Sequence, residues 1–489
     1  MNTSEVNDIM NQAKAAFDLY KKKSASERAL FLESIAVCIE EKREVLVQTA
    51  HEETHLPALR LNGEITRTTG QLKMFANLLR EGSWLEAAID TSDVARVPPK
   101  PDTRKMLLPI GPVVVFGASN FPFAFSTAGG DTASALTSGC SVVVKGHSAH
   151  SKTSLLVFQA IQKAIAETNM PQFTVQHALG NGNTVGKTLV LHPFTTSVGF
   201  TGSFHGGKAL MEYSQSRETP IPVFAEMSSI NPVVFLPEIL ATDSDNLSQM
   251  YGNSITMGVG QFCTNPGLLV AIESEHLDTF LEKLGEAISA VAPQKMLHEG
   301  IGTSYNERLN NALQQKNVTL VAQSTQVSST LEGQPTLARV KAVDFITNPH
   351  LQEEIFGPYS LMVECKDKEE MMIVLKTLKG QLTGTIMGTN TDFAQHTDII
   401  ELQTSLAGRV ILNNSPTGLE VNYSMVHGGL YPATTDARFT SVGASAIKRW
   451  VRPVCFQNFS DTLLPDALKN NNPLNIWRLV NNDFTKDGI

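Results

Sequence analysis

PVVVF at residues 112–116 and SVVVK at residues 141–145 are short apolar runs, typical of strands that are buried on both faces. Three more runs of this kind follow before residue 227, namely FTVQHAL, TTSVGF and PVFAE. Segments with helical spacing, such as SKTSLLVFQAIQKAIAE at 151–167, separate several of them. Strands that alternate with helices in this way predict a doubly wound parallel sheet, and therefore an α/β fold.

Both flanks of this segment extend the pattern. Upstream, residues 4–84 carry apolar side chains at three- and four-residue spacing, which predicts helices that form a layer over the sheet. The proline-rich stretch that leads into KMLLPIGPVVVF favours an edge strand or a connecting ribbon, because proline cannot donate to a central ladder. Downstream, apolar runs between residue 231 and about residue 428 predict a second α/β region.

The composition argues against several classes of protein. With 489 residues, of which 42% are hydrophobic and 18% charged, the chain is far from disordered or fibrous compositions. It carries 39 Lys and Arg against 48 Asp and Glu without a dense basic run, so we expect no nucleic-acid partner. Five widely spaced cysteines without a CxxC pair favour a reducing compartment. Since neither a secretory signal nor a membrane-spanning segment is evident, we expect a cytoplasmic protein without membrane insertion.

Cys263 is the candidate nucleophile. It lies in GVGQFCTNPG, residues 258–267, where glycines allow the backbone to approach a ligand and a turn could present the thiol. A thiolate that adds to an aldehyde carbon forms a thiohemiacetal, from which a hydride can leave. One cysteine among five could equally be a small buried hydrophobe, and the residues alone leave this alternative open.

Two further polar residues follow strands directly. Glu226 ends PVFAE, so its carboxylate should lie at the carboxyl edge of the sheet, where it could deprotonate the thiol or activate water. Asn120 follows PVVVF and could donate its amide N–H to an oxyanion. The alternatives are a solvated acid or helix cap for Glu226 and an ordinary turn residue for Asn120.

Two segments are candidates for nucleotide binding. FTGSFHGG at residues 200–207 places Gly202, Ser203 and Gly207 between a strand and a helix, where free N–H groups can meet a pyrophosphate. Lys145 ends SVVVK and could reach a ribose or a phosphate, although a lone lysine at a strand end is often only solvated.

Taken together, these motifs resemble those of the aldehyde dehydrogenase superfamily. SNFPFAF, VVVKGH, FTGSFHGG, FAEMSSINPVV, GQFCTNPG and EEIFGP occur in the order of that family over nearly the whole chain. Within it, NFPFAFSTAGGDTASAL and YPATTDARFTSVG are similar to an NADP-linked branch with 2-oxoglutarate semialdehyde dehydrogenases and bacterial fatty-aldehyde dehydrogenases. The resemblance implies a Rossmann-type cofactor domain, an α/β catalytic domain and a small oligomerisation element.

The implied domain organisation has three parts. Residues 1–228 form the cofactor-binding domain, with about 95–111 as an oligomerisation ribbon. Residues 229–430 form the catalytic domain, and residues 431–489 return to the cofactor domain and end in an oligomer-contact tail. Because members of the family associate, we expect a homodimer or homotetramer.

The resemblance also implies roles for individual residues. Cys263 corresponds to the nucleophile, Glu226 to the general base, and Asn120, with the Cys263 backbone N–H, to the oxyanion hole. No metal is implied. The cofactor-binding positions are Gly202, Ser203 and Gly207 at the pyrophosphate, Lys145 and Ser148 at the adenine ribose, Glu354 and Phe356 at the nicotinamide ribose, and Phe116 and Ala118 beside the first strand.

Two departures from the family pattern lead to further predictions. The chain reads KGHS where the family has KPxE, so Ser148 replaces a glutamate that would repel a 2′-phosphate, and NADP should be preferred, with NAD possible. It reads VHGG at 426–429 where many relatives have PFGG, which places His427 beside the substrate channel. His427 could modulate the proton affinity of the thiol, bind a polar aldehyde, or simply pack in a loop.

The predicted activity is the NAD(P)-dependent oxidation of a small-molecule aldehyde to a carboxylic acid through a thiohemiacetal and a thioester on Cys263. The substrate is 2-oxoglutarate semialdehyde or an aliphatic aldehyde. A carboxylate-bearing substrate would need an arginine or lysine, for which Arg438 is a candidate. The alternative functions are a cofactor-independent thiol esterase or acyltransferase, and a silent structural relative.

Overall fold

The computed structural model describes residues 1–326 and 328–489. Within these ranges the strands form a five-stranded parallel sheet, a seven-stranded sheet, a smaller mixed sheet and a two-stranded ribbon. Helices pack on the faces of the two parallel layers, which confirms the α/β architecture predicted from the alternating runs.

Helices open the chain, as the spacing of apolar residues predicts. Capping boxes begin the first two, formed by Asn2 with Glu5 and by Ser24 with Glu27. Buried side chains of the second and fourth helices share one hydrophobic core with Val113, Val115, Val142 and Val144, so these helices cover one face of the sheet. The elements are α1 (Thr3–Tyr20), α2 (Ala25–Glu40), α3 (Arg43–Thr54) and α4 (Ala58–Glu81), followed by strands β1 (Ala88–Asp90) and β2 (Thr103–Pro109).

The five apolar runs that begin with PVVVF form one parallel sheet. Its strands are β3 (Val113–Phe116), β4 (Val142–Lys145), β5 (Val175–Ala178), β6 (Ser197–Thr201) and β7 (Val223–Glu226), joined by α5 (Gly130–Ser138), α6 (Ser151–Glu167), α7 (Lys187–Leu191) and α8 (Phe204–Gln215). The spatial order is β5-β4-β3-β6-β7. Because the chain changes direction across the sheet between β3 and β6, the carboxyl ends of these two strands border a crevice of the kind that binds ligands.

The apolar runs downstream of residue 231 form the seven-stranded sheet. Its strands are β8 (Val233–Phe235), β9 (Leu268–Ile272), β11 (Thr319–Gln323), β13 (Thr336–Lys341), β14 (Tyr359–Cys365), β15 (Gln381–Met387) and β16 (Ala407–Leu412), while β10 (Gln294–Lys295) and β12 (Glu332–Gly333) form the ribbon. The spatial order in the sheet is β11-β13-β14-β9-β8-β15-β16. The helices are α9 (Pro237–Thr256), α10 (Glu275–Ser289), α11 (Glu299–Leu313), α12 (Ala342–Thr347), α13 (Lys368–Thr377), α14 (Asn390–Gln395) and α15 (Thr397–Leu406).

The small mixed sheet corrects one prediction. Strands β17 (Val451–Gln457), β18 (Arg478–Val480) and β19 (Asp483–Thr485) join β1 and β2 in the order β17-β2-β1-β18-β19. Residues Thr103–Lys105 of β2 pair with both β1 and β17, so the expectation of an edge strand is wrong there, whereas Met106–Pro109 pair with β17 alone. Pro109 is the last residue of β2, so the interior of the strand keeps the N–H groups that two neighbours need.

The chain returns to the first sheet after residue 430. Thr434 forms an antiparallel bridge with Glu226, and Trp450 packs in the core next to β3 and β4. The division at residues 228 and 430, and the oligomer contacts of the ribbon and tail, stay predictions. Among the helices of the described residues, none combines the length and the apolar character needed to cross a membrane.

Candidate active site

The carboxyl edge of the parallel sheet borders a cavity of about 1050 Å³. Gly202 and Ser203, from the turn between β6 and α8, lie in its wall together with Asn120, Glu226 and Cys263. The two sheets therefore meet at one cavity that contains both the candidate nucleophile and the candidate pyrophosphate site.

A tight left-handed turn presents Cys263 after α9. Gly258, Val259 and Gly260 have φ angles of 56°, 58° and 62°, a conformation that is costly for the β-branched valine. A Cβ on Gly260 would lie 2.3 Å from the carbonyl of Gly357, so only glycine fits there. On the other side, the Asn231 side chain donates to the Cys263 carbonyl oxygen at 2.9 Å. These contacts constrain the backbone around Cys263, the candidate nucleophile.

Three potentially reactive groups converge at the cavity wall. The Cys263 Sγ lies 3.4 Å from His427 Nε2, and the same nitrogen lies 2.9 Å from Glu226 Oε1. One side-chain atom from each residue falls within 4.8 Å of the other two. His427 is fully buried. The imidazole therefore contacts both the thiol and the carboxylate in addition to its own loop.

Residues 440 and 441 position this cluster. The Ser441 hydroxyl lies 2.7 Å from Glu226 Oε2 and 3.0 Å from the His427 carbonyl oxygen, either of which can accept its proton. The His427 N–H donates to Thr440 Oγ1 at 2.8 Å. Glu226 Oε1 is close to the imidazole but not aligned for a hydrogen bond, and His427 Nδ1 has no partner among the described residues. The cluster thus keeps unsatisfied polar atoms beside the thiol, where a reactant can engage them.

The thiol and the carboxylate have pKa values that are shifted in opposite directions. Burial, together with the negative charge of Glu226, raises the pKa of the Cys263 thiol well above its usual range. Burial alone would also raise the pKa of Glu226, but the adjacent His427 imidazole and the Ser441 hydroxyl hold it below its ordinary value. At neutral pH the resting site therefore pairs a protonated thiol with an ionised carboxylate, so the thiol must lose a proton before it can attack.

Asn120 lies just beyond β3 with its amide directed at the segment that leads to Cys263. Its Nδ2 donates to the Gln261 carbonyl oxygen at 3.1 Å, and Arg60 donates to the Asn120 carbonyl oxygen at 2.8 Å. An amide nitrogen carries two donors, so one N–H of Asn120 is left for an oxygen in the cavity.

The turn between β6 and α8 is suited to a dinucleotide. Ser203 caps α8, with its hydroxyl accepting from the Gly206 N–H at 3.2 Å, and the cavity wall includes the first residues of that helix. The Gly202 N–H donates to the Glu226 carbonyl oxygen at 3.0 Å, which ties this turn to the strand that carries the acid. A helix N-terminus open to a cavity attracts a phosphate group, so these residues fit a bound pyrophosphate.

The other predicted cofactor residues divide into two groups. Glu354 and Phe356 line the cavity, and burial raises the pKa of Glu354 to about 7. Phe116 and Ala118 are buried in hydrophobic clusters behind the wall. Gly207 lies within α8, where a Cβ would be 2.5 Å from Met227 Sδ, so its position is set by close packing of helix on sheet.

Lys145 and Ser148 flank a histidine that reaches the cavity. Lys145 is 7% exposed, and burial lowers its pKa, whereas Ser148 is exposed at the start of a short turn. His147 lies in the cavity wall, and burial, followed by the nearby charges of His150 and Lys145, lowers its pKa to about 3. The imidazole of His147 is therefore neutral at physiological pH.

Sequence reasoning missed the supporting residues. Ser441, Asn231 and His147 gave no signal, because nothing in their local sequence shows which distant group they contact. Arg438, the candidate for a substrate carboxylate, is 81% exposed and donates to Asp436 at 2.6 Å, and it is not among the residues that line the cavity.

Comparisons with known proteins agree with this geometry. The sequence model of the aldehyde dehydrogenase family matches residues 1–435. An alpha-ketoglutaric semialdehyde dehydrogenase from Acinetobacter baylyi is 45% identical over 485 residues, which cover 99% of this chain and 92% of that protein. Alpha-ketoglutaric semialdehyde dehydrogenase 2 from Azospirillum brasilense is 45% identical over 477 residues, with 97% and 91% covered.

The fold has solved counterparts as well. A glyceraldehyde-3-phosphate dehydrogenase from Methanocaldococcus jannaschii, solved as a complex with NADP, superposes with a TM-score of 0.80 over 94% of both chains at 19% identity. At this identity the likeness establishes the fold alone. Together with the near full-length sequence matches, it shows that the chain belongs to the aldehyde dehydrogenase family, as an oxidoreductase that acts on a small-molecule aldehyde with a nicotinamide cofactor.

Proposed function

We propose that the protein oxidises 2-oxoglutarate semialdehyde to 2-oxoglutarate and prefers NADP. Two relatives at 45% identity carry the name of that activity and align over nearly their whole length. The observation that carries the proposal is the convergence of Glu226, Cys263 and His427 within 4.8 Å, at a cavity that also contains the Gly202–Ser203 turn.

Cys263 is the nucleophile and His427 receives its proton. The imidazole Nε2 lies 3.4 Å from the sulfur, and the Glu226 carboxylate, 2.9 Å from the same nitrogen, stabilises the imidazolium that forms. The thiolate then adds to the aldehyde carbon, and the carbonyl electron pair moves to oxygen. The product of this step is a thiohemiacetal bound to Cys263.

Asn120 stabilises the oxyanion of that adduct. Its free amide N–H and the backbone N–H of Cys263 are the two donors, and both are held before the substrate arrives. The Gly202–Ser203 turn would hold the pyrophosphate of NADP, which when bound would accept the hydride from the thiohemiacetal carbon. A thioester on Cys263 remains.

Glu226 removes the acyl group. Its carboxylate is ionised, oriented by Ser441 at 2.7 Å, and lies beside the sulfur that carries the acyl group. It takes a proton from a water molecule, whose oxygen attacks the thioester carbon and expels the thiolate. The carboxylic acid leaves, and the sulfur regains a proton from the cluster.

The preference for NADP rests on the corner of the cavity next to β4. No acidic side chain follows Lys145 in the sequence KGHS, and the exposed Ser148 occupies the position where a glutamate would repel a 2′-phosphate. The Lys145 ammonium is buried at the end of β4, and a phosphate would provide its counter-charge.

The protein also assembles as a homodimer or homotetramer in this proposal. The small mixed sheet and its surroundings expose large apolar side chains, including Leu463 at 71%, Trp477 at 50% and Phe484 at 75%. Such a surface is typical of an interface between subunits. Light scattering on the purified protein should give a mass of two or four chains, and a monomer at micromolar concentration would contradict the assembly.

One kinetic experiment tests substrate and cofactor together. Initial rates are measured with 2-oxoglutarate semialdehyde and with hexanal to tetradecanal, each with NADP and with NAD. The proposal expects the largest kcat/KM for the semialdehyde with NADP. A larger kcat/KM for the long alkanals would contradict the substrate, and absence of nicotinamide reduction with every aldehyde would contradict the whole mechanism.

A further inference from the structure

Helix α4 carries two arginines that the mechanism does not use. Arg60 and Arg67 lie seven positions apart, which places them on one face of the helix. Arg67 forms neither a hydrogen bond nor an ion pair with any described residue, and its buried Nε has no partner. Arg60 donates through one nitrogen to the Asn120 carbonyl oxygen, whereas its buried Nη1 is unpaired. Both arginines are only partly exposed, and each keeps a buried nitrogen without a hydrogen-bond partner among the described residues, although the Glu64 charge acts on both. A buried donor without a partner is costly, so this pair requires an explanation.

The two guanidinium groups pack against aromatic rings that neighbour the active-site residues in sequence or in space. The Arg60 Cζ is 4.5 Å from the ring centroid of Phe262, the residue before Cys263, and 5.0 Å from that of Phe121, the residue after Asn120. The Arg67 Cζ is 5.2 Å from the ring of Phe125, which itself packs 6.3 Å from the His427 ring. These aromatic rings connect the arginines to the cluster at Cys263.

Arg67 also acts electrostatically on the nucleophile. Burial and the Glu226 charge raise the pKa of the Cys263 thiol, whereas the positive charge of Arg67 lowers it. The Arg67 guanidinium therefore lies within range of the reacting atom while its own donors stay unpaired.

The acid between the arginines on the same helix is already engaged. Glu64 Oε1 accepts from the backbone N–H groups of Phe123 and Ala124 at 2.7 and 2.9 Å, which fixes the loop after Asn120. Burial raises the pKa of Glu64, so its negative charge is disfavoured at this position. No described carboxylate forms an ion pair with Arg60 or Arg67.

We propose that Arg67 and Arg60 bind the carboxylate of the substrate, at the end of the molecule away from the aldehyde. This inference rests on the proposed function and adds the residues that select its substrate. A 2-oxo acid presents a planar edge of carboxylate and oxo oxygens that the flat guanidinium can match with paired N–H donors. An alkanal would leave both cations unpaired against aromatic rings, so the pair selects a short aldehyde with a distal carboxylate.

The test compares a charged with a neutral aldehyde in one variant. Arg67→Met keeps the apolar stem and removes the charge. With saturating NADP, the ratio of kcat/KM for 2-oxoglutarate semialdehyde to kcat/KM for pentanal should fall about 100-fold, because only the semialdehyde loses a charge-assisted contact. The loss of the Arg67 charge near the Cys263 thiol acts on both substrates alike and cancels in this ratio. Arg67→Lys should recover part of the loss. Inhibition by 2-oxoglutarate should weaken in parallel with this ratio in Arg67→Met.

A matched control lies on the same helix. Arg80 forms a surface ion pair with Glu33 at 2.7 Å, so Arg80→Met should change neither substrate. Equal losses for the semialdehyde and pentanal in a folded Arg67→Met protein, or no loss for either, would overturn the carboxylate subsite while leaving the dehydrogenase reaction intact. A wild-type protein that oxidises pentanal but not the semialdehyde would instead overturn the proposed substrate, and the subsite with it.

Discussion

The reactive cluster and the cofactor corner of the same cavity are built in opposite ways. In the cluster, Glu226, Cys263 and His427 contact one another and are positioned by Ser441. In the cofactor corner, the buried Lys145 ammonium forms no ion pair with an acidic side chain of the described residues, and Ser148 is exposed to solvent. The first region completes most of its contacts within the chain, whereas the second keeps a buried ammonium and an exposed hydroxyl available to a ligand.

This difference predicts how each region responds to substitution. Groups that transfer protons or bonds act in the transition state, so their loss should lower kcat. Groups that bind a ligand contribute to its affinity before and during the reaction, so their loss should raise KM for that ligand. The changes below test this separation, from the largest expected effect to the smallest.

Cys263→Ala tests the cluster most severely. Without the sulfur no thiohemiacetal forms, so kcat should fall by at least about 10⁴-fold. Binding of NADP, followed by quenching of intrinsic fluorescence, should change less than about threefold. The exposed Cys455 provides a control, and Cys455→Ala should keep full activity. Substantial turnover by Cys263→Ala would contradict the covalent scheme.

Glu226→Gln should separate acylation from deacylation. The amide cannot accept a proton from water, so we expect kcat to fall by about 10³-fold while a first-turnover burst of NADPH persists. Rapid mixing measures the burst directly. A variant that loses the burst as well would show that Glu226 is needed to form the thiolate rather than to release the acid.

His427→Phe removes the proton acceptor but keeps a ring in the same place. We expect the thiolate to form less readily, with kcat lower by about 30-fold and the acidic limb of the pH–rate profile altered. His427→Gln provides a polar comparison at the same position. An unchanged pH profile and unchanged substrate preference in His427→Phe would reduce this residue to a packing role.

Ser148→Glu tests the cofactor corner. The new carboxylate should repel the 2′-phosphate, so KM for NADP should rise about tenfold while kcat and KM for NAD change little. Ser148→Ala serves as the neutral control and should retain the NADP preference. A strong NAD preference that Ser148→Glu leaves untouched would refute the assignment of this corner.

Glu354 provides the smallest predicted effect, one that depends on pH. Its pKa of about 7 means that the carboxylate becomes protonated as pH falls through neutrality and then accepts hydrogen bonds from a ribose more weakly. KM for NADP should therefore rise a few-fold, by at most about tenfold, between pH 8 and pH 6. Glu354→Gln should remove this dependence. The exposed neighbour Glu353, paired with His350 and Arg308, is the control, since Glu353→Gln should keep it.

Much of the fold could be predicted because the relevant information is local. The valine-rich run of β3 and the strand that ends at Glu226 appear in the sequence as uninterrupted apolar segments, and both form strands of the parallel sheet. The error at β2 has the same local origin, since nearby prolines suggested an edge strand and the partner strand β17 lies more than 300 residues away. The pairing of two distant strands cannot be predicted from the spacing of apolar residues within either strand.

By itself, the sequence determined the alternation of strands and helices, the position of Glu226 at a strand end and the glycine-framed turn around Cys263. Only the tertiary structure decided that His427 lies between these two groups, that Ser441 orients the acid, and that Arg67 has no hydrogen-bond partner among the described residues while Arg438 pairs with Asp436. The physical reason is that strand formation and turn geometry depend on neighbours along the chain. The pairing of a buried charge depends instead on which distant segments exclude water around it.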